Sequence, residues 1–182
     1  MGGHLFVVRG RLENLHSDAQ VITTDQRFSV GSHWAPVHRA PDTRALMPAG
    51  WGTPDVRFGR SSDGRALWFL DVTLAAAESL KDMLLRLRML LADVAAARLP
   101  TSGRQLPLLA MPVPGIGHGG FHGSSGYVID HLLRTMNEAL SDLDLDVVLV
   151  AADPAAYSAV QARRRQVGEW PSFVDRAEVS RL

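Results

Sequence analysis

The period of the apolar positions changes along the chain, and each change marks an element. Leu5-Phe6-Val7-Val8 is a short apolar run followed by Gly10, which predicts a strand. Ala19–Thr24 (AQVITT) is rich in β-branched residues and bounded by Asp18 and Asp25, so it predicts a second strand. Leu67–Val72 (LWFLDV) predicts a third. From Glu78 to Ala97 the period becomes helical, with Leu80, Leu84, Leu87, Leu91 and Val94 on one buried face. Lys81, Asp82, Arg86 and Asp93 fall largely off that face. Leu106–Pro112 (LPLLAMP) is apolar throughout, as a strand covered on both sides should be. A helix over about Ser125–Leu140 turns Val128, Leu132, Leu133, Met136 and Leu140 inward, and Asp146–Ala152 is another buried strand. Asp153-Pro154 then opens a helix, with Asp at the N-cap, Pro at the first position and Arg163–Arg165 near the C-terminal end.

Between Gly31 and Asp63 the pattern dissolves. Pro36, Pro41, Pro48 and Pro54 interrupt it, together with Gly50, Gly52 and Gly59. A loop this long is expected to be functional, partly ordered or mobile. The second half, by contrast, alternates helix and strand. That alternation predicts an α/β fold, a largely parallel sheet with helices on both faces. Residues 1–170 read as one domain. Trp170-Pro171-Ser172 reads as a boundary, and 171–182 as a linker or the start of a following segment.

Composition narrows the classes. The chain has 182 residues, 46% hydrophobic and 21% charged, enough to bury a core. Formal net charge is zero, so bulk charge predicts neither a nucleic acid nor an anionic membrane as partner. Arg163–Arg165 is the one obvious basic patch. The absence of cysteine excludes disulfides, thiolate metal sites and a cysteine nucleophile. No apolar run reaches the roughly 18–20 residues a membrane helix needs, and the N-terminus lacks a signal-peptide pattern, so a cytoplasmic location is expected.

The most informative chemistry is Pro114-Gly115-Ile116-Gly117-His118-Gly119-Gly120, between a buried strand and a helix. Glycines let successive backbone amides turn inward on an anion, and the helix N-terminus adds donors. Ligands in open α/β sheets gather at the carboxyl ends of strands, where this loop lies. The segment therefore predicts phosphate or pyrophosphate binding; a ligand-free connector is the other reading. It matches neither GxxxxGK[ST] nor GxGxxG with a following acidic residue, which weakens kinase-like and dehydrogenase-like readings. His118 and His122 flank the loop without a visible third ligand, so no metal is expected, and no cofactor either. Ser124, Ser125 and His131 lack a GxSxG elbow and predict an N-cap, not a hydrolase triad. Asp25, at the end of a strand, could bind a ribose hydroxyl, orient water or simply begin a turn. Trp34, Phe121 and Tyr157 are candidate stacking aromatics.

The order of these pieces is familiar. LFVVRGRLENLHSDAQVITTD resembles the opening of macro domains, a family that binds ADP-ribose. There a first strand leads to Gly-Asp, a short helix and a strand reading like DAIVNAAN. Gly10 takes the Gly position, and Asp18-Ala19-Gln20-Val21 matches the second strand's start. LPLLAMPVPGIGHGGFHGSSGYVIDHLLRTM resembles the family's strand, phosphate loop and helix, and LDVVLVAADPAAYSAVQARRR its last strand and helix. The likeness covers most of the chain and rests on order and spacing.

The resemblance implies a three-layer α/β/α sandwich with a central mixed, mostly parallel sheet. It also implies a site for an ADP-ribose-like nucleotide at Gly10, Arg11, Thr24, Asp25, Gly115, Ile116, Gly117, His118, Gly119, Gly120 and Phe121. Departures shape the functional expectation. Arg11 stands where the family has the Asp that reads the adenine amino group. Asp25 stands where it has the Asn associated with the distal ribose and, in hydrolytic members, with catalysis. The family's glycine run is reduced to Ser29-Val30-Gly31-Ser32. Gly119 lies near where an aromatic packs on the ribose, with Phe121 as a substitute. A binding or sensing module is thus expected before an ADP-ribosyl hydrolase using Asp25, or a scaffold with a vestigial pocket. The texture also resembles domains beside sirtuin-like NAD-consuming domains in bacterial anti-phage proteins. That implies a sirtuin-like partner domain in a longer chain and a regulatory role.

Overall fold

The computed structural model describes residues 2–74, 78–101, 103–115 and 125–168. Six strands form one sheet: β1 (Leu5–Arg9), β2 (Ala19–Thr24), β3 (Phe58–Arg60), β4 (Leu67–Asp71), β5 (Leu108–Pro112) and β6 (Asp146–Ala151). Their order is β1-β6-β5-β2-β4-β3. All neighbours are parallel except β3, which runs antiparallel to β4 at the edge. Among the described residues the α-helices are α1 (Ala35–His38), α2 (Leu80–Ala96), α3 (Ser125–Ser141) and α4 (Pro154–Gly168).

Right-handed crossovers decide which side each connection takes. The β4–α2–β5 and β5–α3–β6 connections move the same way along the sheet, so α2 and α3 share a face, and α4 packs beside α3. The β1–β2 and β2–β4 connections move the other way and cover the opposite face. Two core clusters follow. Val21, Trp68, Leu109, Met111, Val147 and Leu149 point to the long helices, meeting Leu87, Leu91, Leu132, Met136 and Val160. Ile22, Phe69, Ala110, Val148 and Val150 point the other way, to Leu12, Phe28, Val37 and Leu46. Burial on both faces is why β4, β5 and β6 read as apolar runs.

The sandwich has its expected layers, with one correction to how they are made. Among the described residues the second outer layer has no long helix. It consists of the four-residue α1 and 3-10 turns at Leu12–Asn14, Ser32–Trp34 and Thr43–Leu46. The dissolved stretch from Gly31 to Asp63 is therefore ordered, and it contributes β3 as well. Short turns carry too few residues for a 3.6-residue period to show, so the pattern hid them. Leu46 is nonetheless 2% exposed and Phe28 6%. Asp42 starts one turn by accepting the Arg44 N–H at 2.9 Å, and Pro36 sits at the start of α1.

A second correction concerns α2. Arg86 is buried, although the helical period placed it off the inward face. Asp93 is exposed but accepts the indole N–H of the fully buried Trp68 at 2.7 Å, which satisfies that donor. Asp82 accepts the backbone N–H of Ser79 at 2.7 Å, fixing the helix start. Among the described residues no helix is long and apolar enough to cross a membrane.

Candidate functional site

The carboxyl ends of the five parallel strands open together onto a cleft of about 1060 Å³. Each strand contributes to its floor: Gly10 after β1, Thr24 at the end of β2 and Asp25 after it, Val72 and Thr73 after β4, Val113 and Gly115 after β5, Ala151 at the end of β6 and Ala152 after it. Leu12 and Glu13 form part of one wall, Ser29 and 31–36 another, and Asp153 and Ala156 a third. Placement at strand carboxyl ends is where open parallel sheets bind ligands.

Five sequence-predicted site residues meet here: Gly10, Arg11, Thr24, Asp25 and Gly115. Gly10 donates its N–H to the Ala151 carbonyl at 3.1 Å, and a Cβ there would meet nothing within 4 Å. Gly115 has φ +81°, a conformation that favours glycine. Ile116, Gly117, His118, Gly119, Gly120 and Phe121 lie outside the described residues, as do His122, Ser124 and the 171–182 segment. Arg11 is exposed and 3.8 Å from Glu13. Thr24 is buried, and its hydroxyl has no hydrogen-bond partner among the described residues.

Asp25 does two things. It lines the cleft, and it organises the turn after β2. Its Oδ1 accepts the Ser29 N–H at 2.8 Å, and its carbonyl accepts the Phe28 N–H and the Trp51 Nε1–H. One carboxylate oxygen is thus engaged in local structure.

Asp153 caps α4 as expected, accepting the Ala156 N–H at 2.8 Å. That cap satisfies one of the N–H groups at the α4 N-terminus. Trp34 stands on the cleft wall. Tyr157 does not line the cleft: it packs against the helix-side core, with its hydroxyl 3.1 Å from Gln161 Nε2. No group of three or more His, Asp or Glu suited to a metal occurs among the described residues.

Sequence reasoning missed the charge cluster that holds the β4 rim. Asp71 is completely buried, and its Oδ2 accepts Arg57 Nε at 2.5 Å. Its Oδ1 accepts both the N–H and the hydroxyl of Thr73. Arg57 also donates to Glu78 Oε1 at 2.8 Å, and Arg86 donates to Glu78 and, at 3.1 Å, to the Thr73 carbonyl. Burial lowers the Arg57 pKa, but hydrogen bonds and charge from Asp71 and Glu78 outweigh it and hold the guanidinium above its ordinary value. Two cations and two carboxylates thus fix the turn carrying Val72 and Thr73. The signal was present: an Asp closing the apolar run LWFLD needs a cation once that strand is buried.

No protein-family model and no curated protein matches the chain. Solved structures do. A glycine-to-valine variant of the Oceanobacillus iheyensis macrodomain with ADPR superposes at TM-score 0.63 and 15% identity, covering 90% of this chain and 92% of that one. The Trypanosoma brucei macrodomain in complex with ADP-ribose gives TM-score 0.56 and 16% identity over 87% and 68%. An alphavirus P23pro-zbd chain gives TM-score 0.66 and 15% identity over 96% of this chain and 25% of that one. The layers, the strand order and these superpositions together give the chain the macrodomain fold.

Proposed function

We propose that this domain binds ADP-ribose or a related NAD-derived nucleotide, as a sensing module with no hydrolase activity. The cleft across five strand ends carries the reading, with Gly115 on its floor at positive φ, where the glycine-rich sequence begins. The phosphates would lie on Gly115–Gly120. Macrodomains of similar fold are described in complex with ADP-ribose. The engagement of Asp25 Oδ1 by Ser29, with Asp25 in place of the family's Asn and its glycine run reduced to Ser29-Val30-Gly31-Ser32, favours binding over catalysis. The sequence resemblance also supports a regulatory role beside a sirtuin-like NAD-consuming domain in an anti-phage protein.

Calorimetry against ADP-ribose, NAD and AMP tests the proposal, with Gly117→Val as the control variant. A Cβ at that position should remove a couple of charge-assisted phosphate hydrogen bonds. The expected cost is on the order of 2–4 kcal/mol, or roughly 30- to 1000-fold in affinity. Circular dichroism melts should show the variant folded. Equal binding by variant and wild type would reduce the glycine segment to a connector.

A further inference from the structure

The cleft floor is poor in groups that could recognise a base. Apart from Thr24, Thr73 and Asp25, whose Oδ1 is taken up by the Ser29 N–H, its strand ends supply glycine, alanine, valine and proline. Among the described residues, only two aromatic rings line it, and they are consecutive. His33 and Trp34 form a lip on the wall that follows β2, their centroids 4.6 Å apart and their planes tilted by 47°. The pair is a built feature. Trp34 is half-buried and packs against the second core cluster, which anchors it. Its N–H donates to the Gly31 carbonyl at 2.9 Å. The His33 ring lies in the space a side chain at position 31 would need. A Cβ on Gly31 would stand 2.5 Å from His33 Cε1 and 2.7 Å from Nδ1. Gly31 has φ −62°, open to any residue, so its lack of a side chain is what seats the imidazole.

We infer that the His33–Trp34 lip is the stacking platform for the flat heteroaromatic ring of the bound nucleotide. An anchored indole that lines the cleft loses little rotamer freedom when a base stacks on it, and stacking accepts any planar ring. The neighbouring wall brings the ring a polar edge. Helix α1, which begins directly after Trp34, packs on the 12–14 turn, where Glu13 stands beside Arg11. The inference rests on the nucleotide-binding reading and deepens it by assigning the base subsite.

Two readouts test it on the intact chain: calorimetry with ADP-ribose, and quenching of tryptophan fluorescence by the same ligand. Wild type should bind with quenching. Trp34→Phe keeps a ring, so it should bind nearly as well but lose the quench. Trp34→Ala should bind about 5- to 150-fold more weakly, the range for losing one stacked base. Gly31→Ala displaces an exposed imidazole at unstrained φ, so it should fold normally and weaken binding severalfold; it also covers the case in which Trp34→Ala does not fold. Wild-type affinity in both Trp34→Ala and Gly31→Ala, or a quench that survives in Trp34→Phe, would place the ring elsewhere and overturn the assignment while leaving nucleotide binding intact. Absence of binding by every nucleotide tried would overturn both.

Discussion

Asp71 shows how one residue can govern a cleft it does not line. Its side chain is fully buried at the end of β4, between Arg57 and the Thr73 turn. Removing one partner from such a cluster leaves an uncompensated charge with no water to take it. Asp71→Ala is expected to destabilise the fold by about 3–5 kcal/mol in chemical denaturation. The double change Asp71→Leu with Arg57→Met should cost clearly less than Asp71→Ala, because it removes both charges together. Glu78 and Arg86 would keep their own pair, with Glu78 partly exposed to solvent. A double variant as unstable as the single one would mean that geometry at the Thr73 turn, not charge, limits stability. That geometry is the link to function, since Val72 and Thr73 are cleft residues.

At the scale of elements, legibility followed length. β2 was readable to its ends because β-branched residues fill it and an Asp bounds each side. α3 was readable because Val128, Leu132, Leu133, Met136 and Leu140 hold one face, and all are buried. The Gly31–Asp63 region was not, because its order comes from isolated anchors spaced too irregularly to show a period. His38 is one such anchor. It ends α1 buried, and its Nδ1 accepts the Ala40 N–H at 3.1 Å, which requires that nitrogen unprotonated. Burial, then the charge of Arg65, lowers its pKa below the usual histidine value. The folded state therefore binds this proton less readily than the unfolded chain does. Stability from His38 is complete above about pH 6.5 and is lost as pH falls toward the depressed folded value. Denaturant unfolding at pH 7.5 and pH 5 should show a smaller acid loss in His38→Gln than in wild type. Equal losses would mean that His38 titrates freely and that α1 is not held by its neutral form.

For the whole molecule, the proposed role as a binding module rests on a cleft set into a sheet that is packed on both faces. The two core clusters hold the sheet from both faces, and Val113, Val150 and Ala151 carry that packing up to the cleft at its carboxyl edge, where Gly10, Asp25 and Gly115 complete the floor without belonging to either cluster. The floor was legible in sequence, since Gly10, Thr24, Asp25 and Gly115 each close or follow a readable strand. The His33–Trp34 wall was only half legible. Trp34 stood out as an aromatic, but its pairing with His33 depends on a missing side chain at Gly31, which no local period reports. Ligand bound to such a site stabilises the folded state by mass action alone. At 100 times its dissociation constant, ADP-ribose should add about 2.7 kcal/mol. For a domain of this size that corresponds to a rise in Tm of roughly 5–11 °C. That shift reports occupancy alone, because free ADP-ribose is what an ADP-ribosyl hydrolase would release and carries no bond for it to cut. The same preparation, incubated with an ADP-ribosylated protein, should release no ADP-ribose. Robust release, abolished by Asp25→Ala with the melting temperature unchanged, would show that the carboxylate oxygen not engaged by Ser29 suffices to activate water, and would make the domain a hydrolase.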